Sequence, residues 1–306
     1  MNKMSALKEK ISQILPAFAI RLEEPLAKHT SFRIGGAAEI MVFPRNSAEL
    51  SAVLRASNEC GIKPWVLGGG TNVLAPDEGI RGLVICLKET FMGLALVAPT
   101  TVEAMAGMSL AQTAMFAARN GLSGMETLHG IPGTVGGGVY MNAGAYGGEI
   151  KDIATKTEFM FLDGTTKWFE GEEHAFGYRK SAFQNLDGII VRTQFSLKQG
   201  EEKEIREKIR ELNEKRRASQ PLDKPSAGST FKRPEGYFAG TMIEQTGLKG
   251  LKVGGAQVSE KHAGFIINTG DATAKDVLAL VALVQEKVYE KNGVRLEPEV
   301  RLWGQK

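Results

Sequence analysis

Apolar residues recur every three or four positions near the start of the chain, at Met4, Leu7, Ile11 and Leu15. That spacing predicts a short amphipathic helix before Pro16, a lid or packing element. From His29 the rhythm changes. HTSFRIGGAAEIMVFPRN passes a Gly-Gly turn and enters an apolar strand, Ile40 to Phe43; Asn46, with Glu49 three residues on, then resembles a capping box opening a helix to about Cys60. Pro64 to Leu67 and Leu83 to Leu87 are the next predicted strands. Ser109 with Gln112 is a second capping box, whose helix carries the stripe Leu110, Ala114 and Ala117 and stops at Asn120-Gly121. Thr155 to Leu162 and Thr165 to Phe169 flank Asp163-Gly164, a strong hairpin signal, and Gly188 to Leu197 is a further β-rich run.

The pattern then breaks. Gly200 to Arg217, GEEKEIREKIRELNEKRR, is a highly charged helix with one narrow apolar stripe, Ile205, Ile209 and Leu212, and reads as a boundary. SQPLDKPSAGSTFKRPEG, rich in Pro and Gly, is expected to be an ordered loop without regular structure. Gly264 to Ile267 is a predicted strand, and Thr273 caps an apolar helix from Ala274 to Lys291 that ends at Asn292-Gly293. Val294 to Trp303 alternates, with Val294, Leu296, Val300 and Leu302 on one face and Arg295, Glu297, Glu299, Arg301 and Trp303 on the other, which predicts a closing strand. The mixture of hairpins and strand-helix units places the chain in the α+β class.

Composition narrows the function classes. The 306 residues suffice for about two domains. With 38 basic and 35 acidic residues the net charge is +3, so no general field favours nucleic acid or a membrane surface. Cys60 and Cys86 are the two thiols; neither sits in a CxxC or metal-ligand spacing, so neither a disulfide scaffold nor a metal is expected. The N-terminus lacks the apolar core of a signal peptide, and the longest apolar run, Val277 to Val284, is far short of a membrane span. A cytoplasmic protein is expected.

Two glycine-rich stretches are the first candidates for chemistry. The strand Pro64 to Leu67 runs straight into Gly68, Gly69, Gly70, Thr71 and Asn72, like a turn whose backbone N–H groups point at an anion. His129 to Ile150, HGIPGTVGGGVYMNAGAYGGEI, offers bare main chain as a wall for a flat or phosphorylated ligand. Its recurring Ile131, Val135, Val139, Tyr140 and Met141 separate it from a polar flexible linker. Neither stretch is a P-loop, because GxxxxGK[ST] is missing, and GGGTNV lacks the last glycine of GxGxxG.

Three polar segments follow. Arg179, in FGYRKSAFQ, places a guanidinium among aromatics, where it can hold a carboxylate bidentately. Ser229 follows Gly228 in SAGSTFKRP, and Glu299 lies on the polar side of the last strand. Each also fits an ordinary role: a snorkelling surface arginine, a serine closing a turn, an edge charge.

Taken together, LGGGTNVL, HGIPGTVGGGVYMNAGAYGGEI, YRKSAF, PSAGSTFKRP, GGAQVSEKHAGFIIN and LEPEVRLWG closely resemble, in the same order, the motifs of the UDP-N-acetylenolpyruvoylglucosamine reductase (UDP-N-acetylmuramate dehydrogenase) family. The resemblance runs from about Thr30 to Gly304, and the YRKSAF wording is similar to the family's shorter subclass. It implies an FAD-binding fold of the vanillyl-alcohol-oxidase (PCMH) type followed by a smaller α/β substrate-binding domain. The expected division is residues 1–28 as a helical segment, 29–199 as the FAD-binding domain and 200–306 as the substrate domain, the final strand being free to return to the FAD domain. It further implies a cytoplasmic monomer of peptidoglycan precursor synthesis that uses NADPH to reduce an enolpyruvyl UDP-sugar. FAD would be held by Leu67, Gly68, Gly69, Gly70, Thr71 and Asn72, and by Gly130, Ile131, Pro132, Gly133, Thr134, Gly136, Gly137, Gly138 and Asn142. Arg179 and Glu299 would stabilise an enol intermediate that Ser229 protonates. Tyr178, Lys232, Lys261 and His262 are expected to bind substrate. The family's asparagine after the GSxFK lysine is Arg233 here. Two other readings remain open at this point: an FAD-dependent oxidase of the same fold acting on an alcohol or lactone, and a non-catalytic flavin- or nucleotide-binding module.

Overall fold

The computed structural model describes residues 2–88 and 90–304. In chain order the elements begin with α1 (Lys3–Ile14), β1 (Ile20–Pro25), β2 (Ala37–Val42), α2 (Ser47–Glu59), β3 (Trp65–Leu67), β4 (Val73–Leu74), β5 (Ile80–Cys86), β6 (Leu94–Ala98), β7 (Thr101–Met105) and α3 (Leu110–Arg119). They continue with β8 (Leu122–Ser123), α4 (Glu126–His129), α5 (Val135–Tyr140), β9 (Gly144–Ala145), β10 (Gly148–Glu149), β11 (Ala154–Phe161), β12 (Thr166–Glu170), β13 (Gly188–Ser196) and β14 (Lys198–Gln199). The last third holds α6 (Glu202–Ser219), β15 (Ser226–Ser229), α7 (Ala239–Gln245), β16 (Lys252–Val253), β17 (Ala256–Val258), β18 (Phe265–Asn268), α8 (Ala274–Asn292) and β19 (Arg301–Leu302).

The helix starts follow their sequence signals. Asn46 accepts from the Glu49 N–H, while Glu49 reaches back to the Arg45 N–H at 2.8 Å, one residue beyond the expected capping partner. Ser109 accepts from the Gln112 N–H, and Thr273 forms a full capping box with Asp276. Gly121 at φ 64° and Gly293 at φ 68° end α3 and α8 in the left-handed conformation that glycine adopts without strain.

The chain divides into two compact units, each discontinuous in sequence. One comprises Met1–Glu23, Glu39–Gly69 and Gly82–Lys215; the other comprises Glu24–Ala38, Gly70–Arg81 and Arg216–Lys306. The charge break near residue 200 does not mark this interleaving. In the first unit, strands run in the order β1-β2-β5-β3 in one sheet and β12-β11-β13-β7-β6 in another. The β11–β12 hairpin turns at Asp163-Gly164, with Gly164 at φ 82° and Asp163 Oδ1 accepting from the Thr165 N–H at 2.9 Å. Phe159, Phe169 and Phe183 pack ring on ring beneath it.

The second unit is built on the sheet β15-β18-β17-β16. Val277, Leu280, Val284 and Val288 of α8 pack in one core with Ile266, Val258 and Ile243. Three sequence expectations are corrected. The proline-rich loop contains β15, because the residues after Pro225 pair with β18. The glycine-rich stretch, to which the pattern assigned no element, includes α5 and the β9–β10 hairpin. The closing strand shrinks to β19, while Pro298 makes an isolated antiparallel bridge with Phe231; Trp303, expected on the polar face, is 9% exposed. No helix among the described residues is long and apolar enough to cross a membrane.

Candidate active site

The glycine turn and the glycine helix meet in the first unit. Leu67, 1% exposed, anchors β3, and its carbonyl accepts from the Leu87 N–H at 3.0 Å. The chain then bends at Gly68, where a Cβ would lie only 2.4 Å from Thr134 Oγ1. Thr134 is the N-cap of α5, accepting weakly from the Gly137 N–H at 3.4 Å. Helix α5 buries Val135, Gly138 and Val139. A Cβ on Gly136 would stand 2.9 Å from Ala106 Cβ, and one on Gly138 would stand 3.1 Å from the Leu110 side chain, so these two glycines are required by packing. Gly137 instead is exposed. What remains is main-chain surface with no side chain to hold a ligand off, which suits a flat, phosphate-bearing cofactor such as FAD. Gly130, Ile131, Pro132 and Gly133 form the approach to this helix, with the Ile131 N–H donating to Leu128 O at 3.0 Å. Gly70, Thr71 and Asn72 belong to the second unit, where Gly70 at φ 63° passes so close to His29 that a Cβ would lie 2.0 Å from its carbonyl oxygen.

Arg179 lies in the first unit on a tight turn. The Gly177 N–H donates to Lys180 O and the Lys180 N–H to Gly177 O, both at 3.1 Å, leaving Tyr178 and Arg179 as the central pair. Arg179 has φ 56°, a conformation costing a non-glycine residue roughly 1–2 kcal/mol. Such strain persists where the surroundings over-determine it. Gln184 Nε2 donates to Arg179 O at 3.0 Å and to Tyr140 O at 2.8 Å, and Ser181 Oγ donates to Tyr140 O at 2.8 Å. Asn142 Nδ2 donates to Gly177 O at 2.9 Å. The guanidinium reaches Gly144 O at 3.4 Å and lies 5.2 Å from the Tyr178 ring centroid. The sequence did not single out Gln184, although it stands inside the quoted FGYRKSAFQ motif.

Ser229 and Glu299 come together in the second unit. Between Ser226 and Ser229 two residues of β15, Ala227 and Gly228, face one of β18, Ile266, a bulge in which Gly228 takes φ 76°. Such a bulge re-aims the side chain that follows it, and Ser229 is exposed. The next residue, Thr230, accepts the Glu299 N–H on its carbonyl at 2.8 Å, while its hydroxyl accepts from the Ile266 N–H at 3.0 Å. Asn72 Nδ2 donates to Glu299 O at 3.1 Å, and the Arg301 N–H donates to Asn72 O at 2.9 Å. Both sides of Glu299 are thereby pinned. Thr230 escaped notice because its contribution is mainly backbone.

The remaining candidates differ in commitment. Tyr178 is 46% exposed. Lys232 pairs with Glu297 at 3.0 Å. Lys261 Nζ donates to the Arg217 carbonyl near the end of α6. His262 accepts the Gly264 N–H on Nδ1 at 3.1 Å, and burial is the first cause of its lowered pKa, so the ring is neutral near pH 7. Asn142 is fully buried, and its amide faces protein groups: Nδ2 also donates to Glu149 Oε2 at 3.0 Å, and Oδ1 accepts from the Lys151 N–H at 2.9 Å.

Two family models match the chain, an FAD binding domain over residues 38–170 and the C-terminal domain of UDP-N-acetylenolpyruvoylglucosamine reductase over residues 220–303. The UDP-N-acetylenolpyruvoylglucosamine reductase of Alkaliphilus oremlandii (strain OhILAs) is 45% identical over 305 residues, covering 100% of both chains. That of Streptococcus pneumoniae (strain 70585) is 44% identical over 301 residues, 98% of this chain and 99% of its own. The crystal structure of the Thermus caldophilus reductase aligns with a TM-score of 0.81 at 38% identity, over 93% of this chain and 99% of that one. The likeness spans both the glycine-walled unit and the unit that joins Ser229 to Glu299, so this chain belongs to the UDP-N-acetylenolpyruvoylglucosamine reductase family.

Proposed function

We propose that this chain reduces the enolpyruvyl group of UDP-N-acetylglucosamine enolpyruvate to give UDP-N-acetylmuramate, with FAD as bound cofactor and NADPH as reductant, in peptidoglycan precursor synthesis. Family membership supports the reaction. For the residues, the observation that carries the reading is the 2.8 Å bond from the Glu299 N–H to Thr230 O, which sets the Glu299 main chain opposite the residue that follows the exposed Ser229. When bound, FAD would supply the two-electron chemistry that carries hydride from NADPH to the enolpyruvyl methylene carbon. We assign the wall for it to residues 67–72 and 130–138. Arg179 meets the negative charge that then grows on the substrate carboxylate; a preorganised donor of this kind is worth about 2.7–4 kcal/mol. Ser229 gives one proton to C2, since a carbanion-like carbon is basic enough to take it from a hydroxyl. Glu299, when protonated, donates a hydrogen bond to the enol oxygen. Tyr178 contributes to substrate binding, as do Lys232, Lys261 and His262 once they give up the protein contacts described above. The reading extends to a monomer in the cytoplasm, where UDP-sugars and NADPH are held.

Ser229→Ala tests it. The variant is expected to be yellow and to be bleached by NADPH at the normal rate, with reoxidation by the enolpyruvyl substrate slowed about 10²–10⁴-fold. Unchanged turnover would remove Ser229 from the mechanism. An oxidase would instead be reoxidised rapidly by oxygen alone, an outcome the match to the reductase C-terminal domain argues against.

A further inference from the structure

We infer that Asn142 is a positioning residue for Arg179, holding the strained turn to the end of the glycine helix so that the guanidinium keeps a fixed place relative to the cofactor wall. The inference rests on the assignment of Arg179 to the substrate carboxylate. Asn142 follows Met141, the C-cap of α5, is fully buried and takes φ 42°, a left-handed conformation that asparagine adopts more readily than most non-glycine residues. Its side chain uses both amide hydrogens and its carbonyl on protein groups. Two of these bonds, with Glu149 and Lys151, stay within the β9–β10 hairpin and the turn after it. The third, to Gly177 O, leaves that region for the first residue of the Arg179 turn.

The other anchors of the turn end on the same short stretch. Ser181 and Gln184 donate to Tyr140 O, and Arg179 itself reaches Gly144 O. Residues 140–144 therefore carry the glycine helix on one side and the guanidinium on the other. A left-handed arginine is held only as firmly as these bonds hold it. The Asn142 end of its bond is fully buried, so that amide has no water to exchange its partner for. Asn142 touches neither hydride nor proton in this scheme and acts through Arg179.

The test separates positioning from general support of the fold. In the double variant Asn142→Asp/Glu149→Gln, the new amide at position 149 can donate to the new carboxylate, which keeps the hairpin bond. The carboxylate faces Gly177 O without a proton to give, so relative to Glu149→Gln, which already lacks the 3.0 Å ion pair of Lys151 with Glu149, the link to the turn is what is lost. Glu149→Gln alone is the control for the hairpin, and Arg179→Lys is the control for the clamp. Holoenzymes are compared by stopped-flow in two separate steps, flavin reduction by NADPH and reoxidation by the enolpyruvyl UDP-sugar. We expect the double variant to keep its FAD and to be reduced within about threefold of the parent rate, with reoxidation slower on the order of 10²-fold, the effect of a misplacement near 1 Å. Reoxidation equal to that of Glu149→Gln, or an equal fall in both steps, overturns the inference. If Arg179→Lys is slow while the double variant is normal, only the inference fails; if Arg179→Lys is itself normal, the clamp assignment fails. Should the double variant purify without FAD, Gln184→Leu removes the bond to Arg179 O from the other side of the turn and must show the same split.

Discussion

Gly68→Ala distinguishes a cofactor surface from a simple bend. Gly68 is not among the glycines with positive φ, so alanine can adopt its backbone conformation and the cost is purely steric. A Cβ there stands 2.4 Å from Thr134 Oγ1, whereas real Cβ contacts do not fall below 3.0 Å, so the turn and the start of α5 must part by at least 0.6 Å. Thr134 has little room to yield. It is 3% exposed, and swinging its hydroxyl away forfeits the helix cap, about 0.5–2 kcal/mol. The displacement therefore falls on two surfaces assigned to FAD. Since 1 Å of misplacement costs on the order of 10²-fold, 0.6 Å is expected to weaken binding roughly tenfold, about 1.4 kcal/mol. Titrating apo-protein with FAD and following flavin fluorescence measures this directly. Thr134→Ala removes the colliding oxygen, so the double variant should bind FAD as Thr134→Ala alone does. Wild-type affinity in Gly68→Ala would show that the turn is not a cofactor surface. A double variant no better than Gly68→Ala would show that the clash is not the cause.

Three further outcomes are expected. Arg179→Lys replaces a planar fork by a point charge and should slow substrate-driven reoxidation on the order of 10²-fold while NADPH bleaches the flavin normally; near-parent reoxidation would remove the guanidinium from carboxylate binding. Gly228→Ala meets no atom within 4 Å, so its cost is the φ of 76° alone, roughly 1–2 kcal/mol in denaturant unfolding; because the bulge aims Ser229, reoxidation should fall with it, and an unaffected rate would refute that role. Burial holds His129, His174 and His262 below the ordinary histidine value. Because the unfolded chain then binds more protons, their contribution to stability is complete above about pH 6.5 and is lost as pH falls through the lowered folded values. The melting temperature should drop over that window, less steeply in His174→Gln; an identical slope in that variant would exclude His174 as a source.

Much of this was legible in the sequence, for identifiable physical reasons. Caps are local, so Asn46, Ser109 and Thr273 announced their helices within a residue or so. The Asp163-Gly164 hairpin needs only its own two turn residues. The motif order likewise led to an FAD-binding domain and a reductase C-terminal domain, which the family models match. What stayed hidden depends on distant partners. Glycine disfavours helix, yet α5 forms because Gly136 and Gly138 let it press against Ala106 and Leu110. Strands of two to four residues, such as β15 to β17, carry too little periodicity to announce themselves, and their ladders are visible only once the chain is folded. The bond from Asn142 to Gly177 O could not be read from the sequence, because its partner stands 35 positions away.

The interleaved make-up of the second unit bears on how the chain is made. Residues 24–38 and 70–81 leave the ribosome long before residues 216–306, the segment with which they form one body. Until translation is almost complete, Phe32, Ile34 and Leu74 lack the α8 core they are destined for, and β4 lacks β19. Contacts spanning so much sequence are slow to close and leave apolar surface bare meanwhile. A truncation removing α8 should therefore do more than delete the C-terminal domain: it strands two early segments, and such chains are expected to aggregate during synthesis rather than accumulate as a soluble flavin-binding fragment.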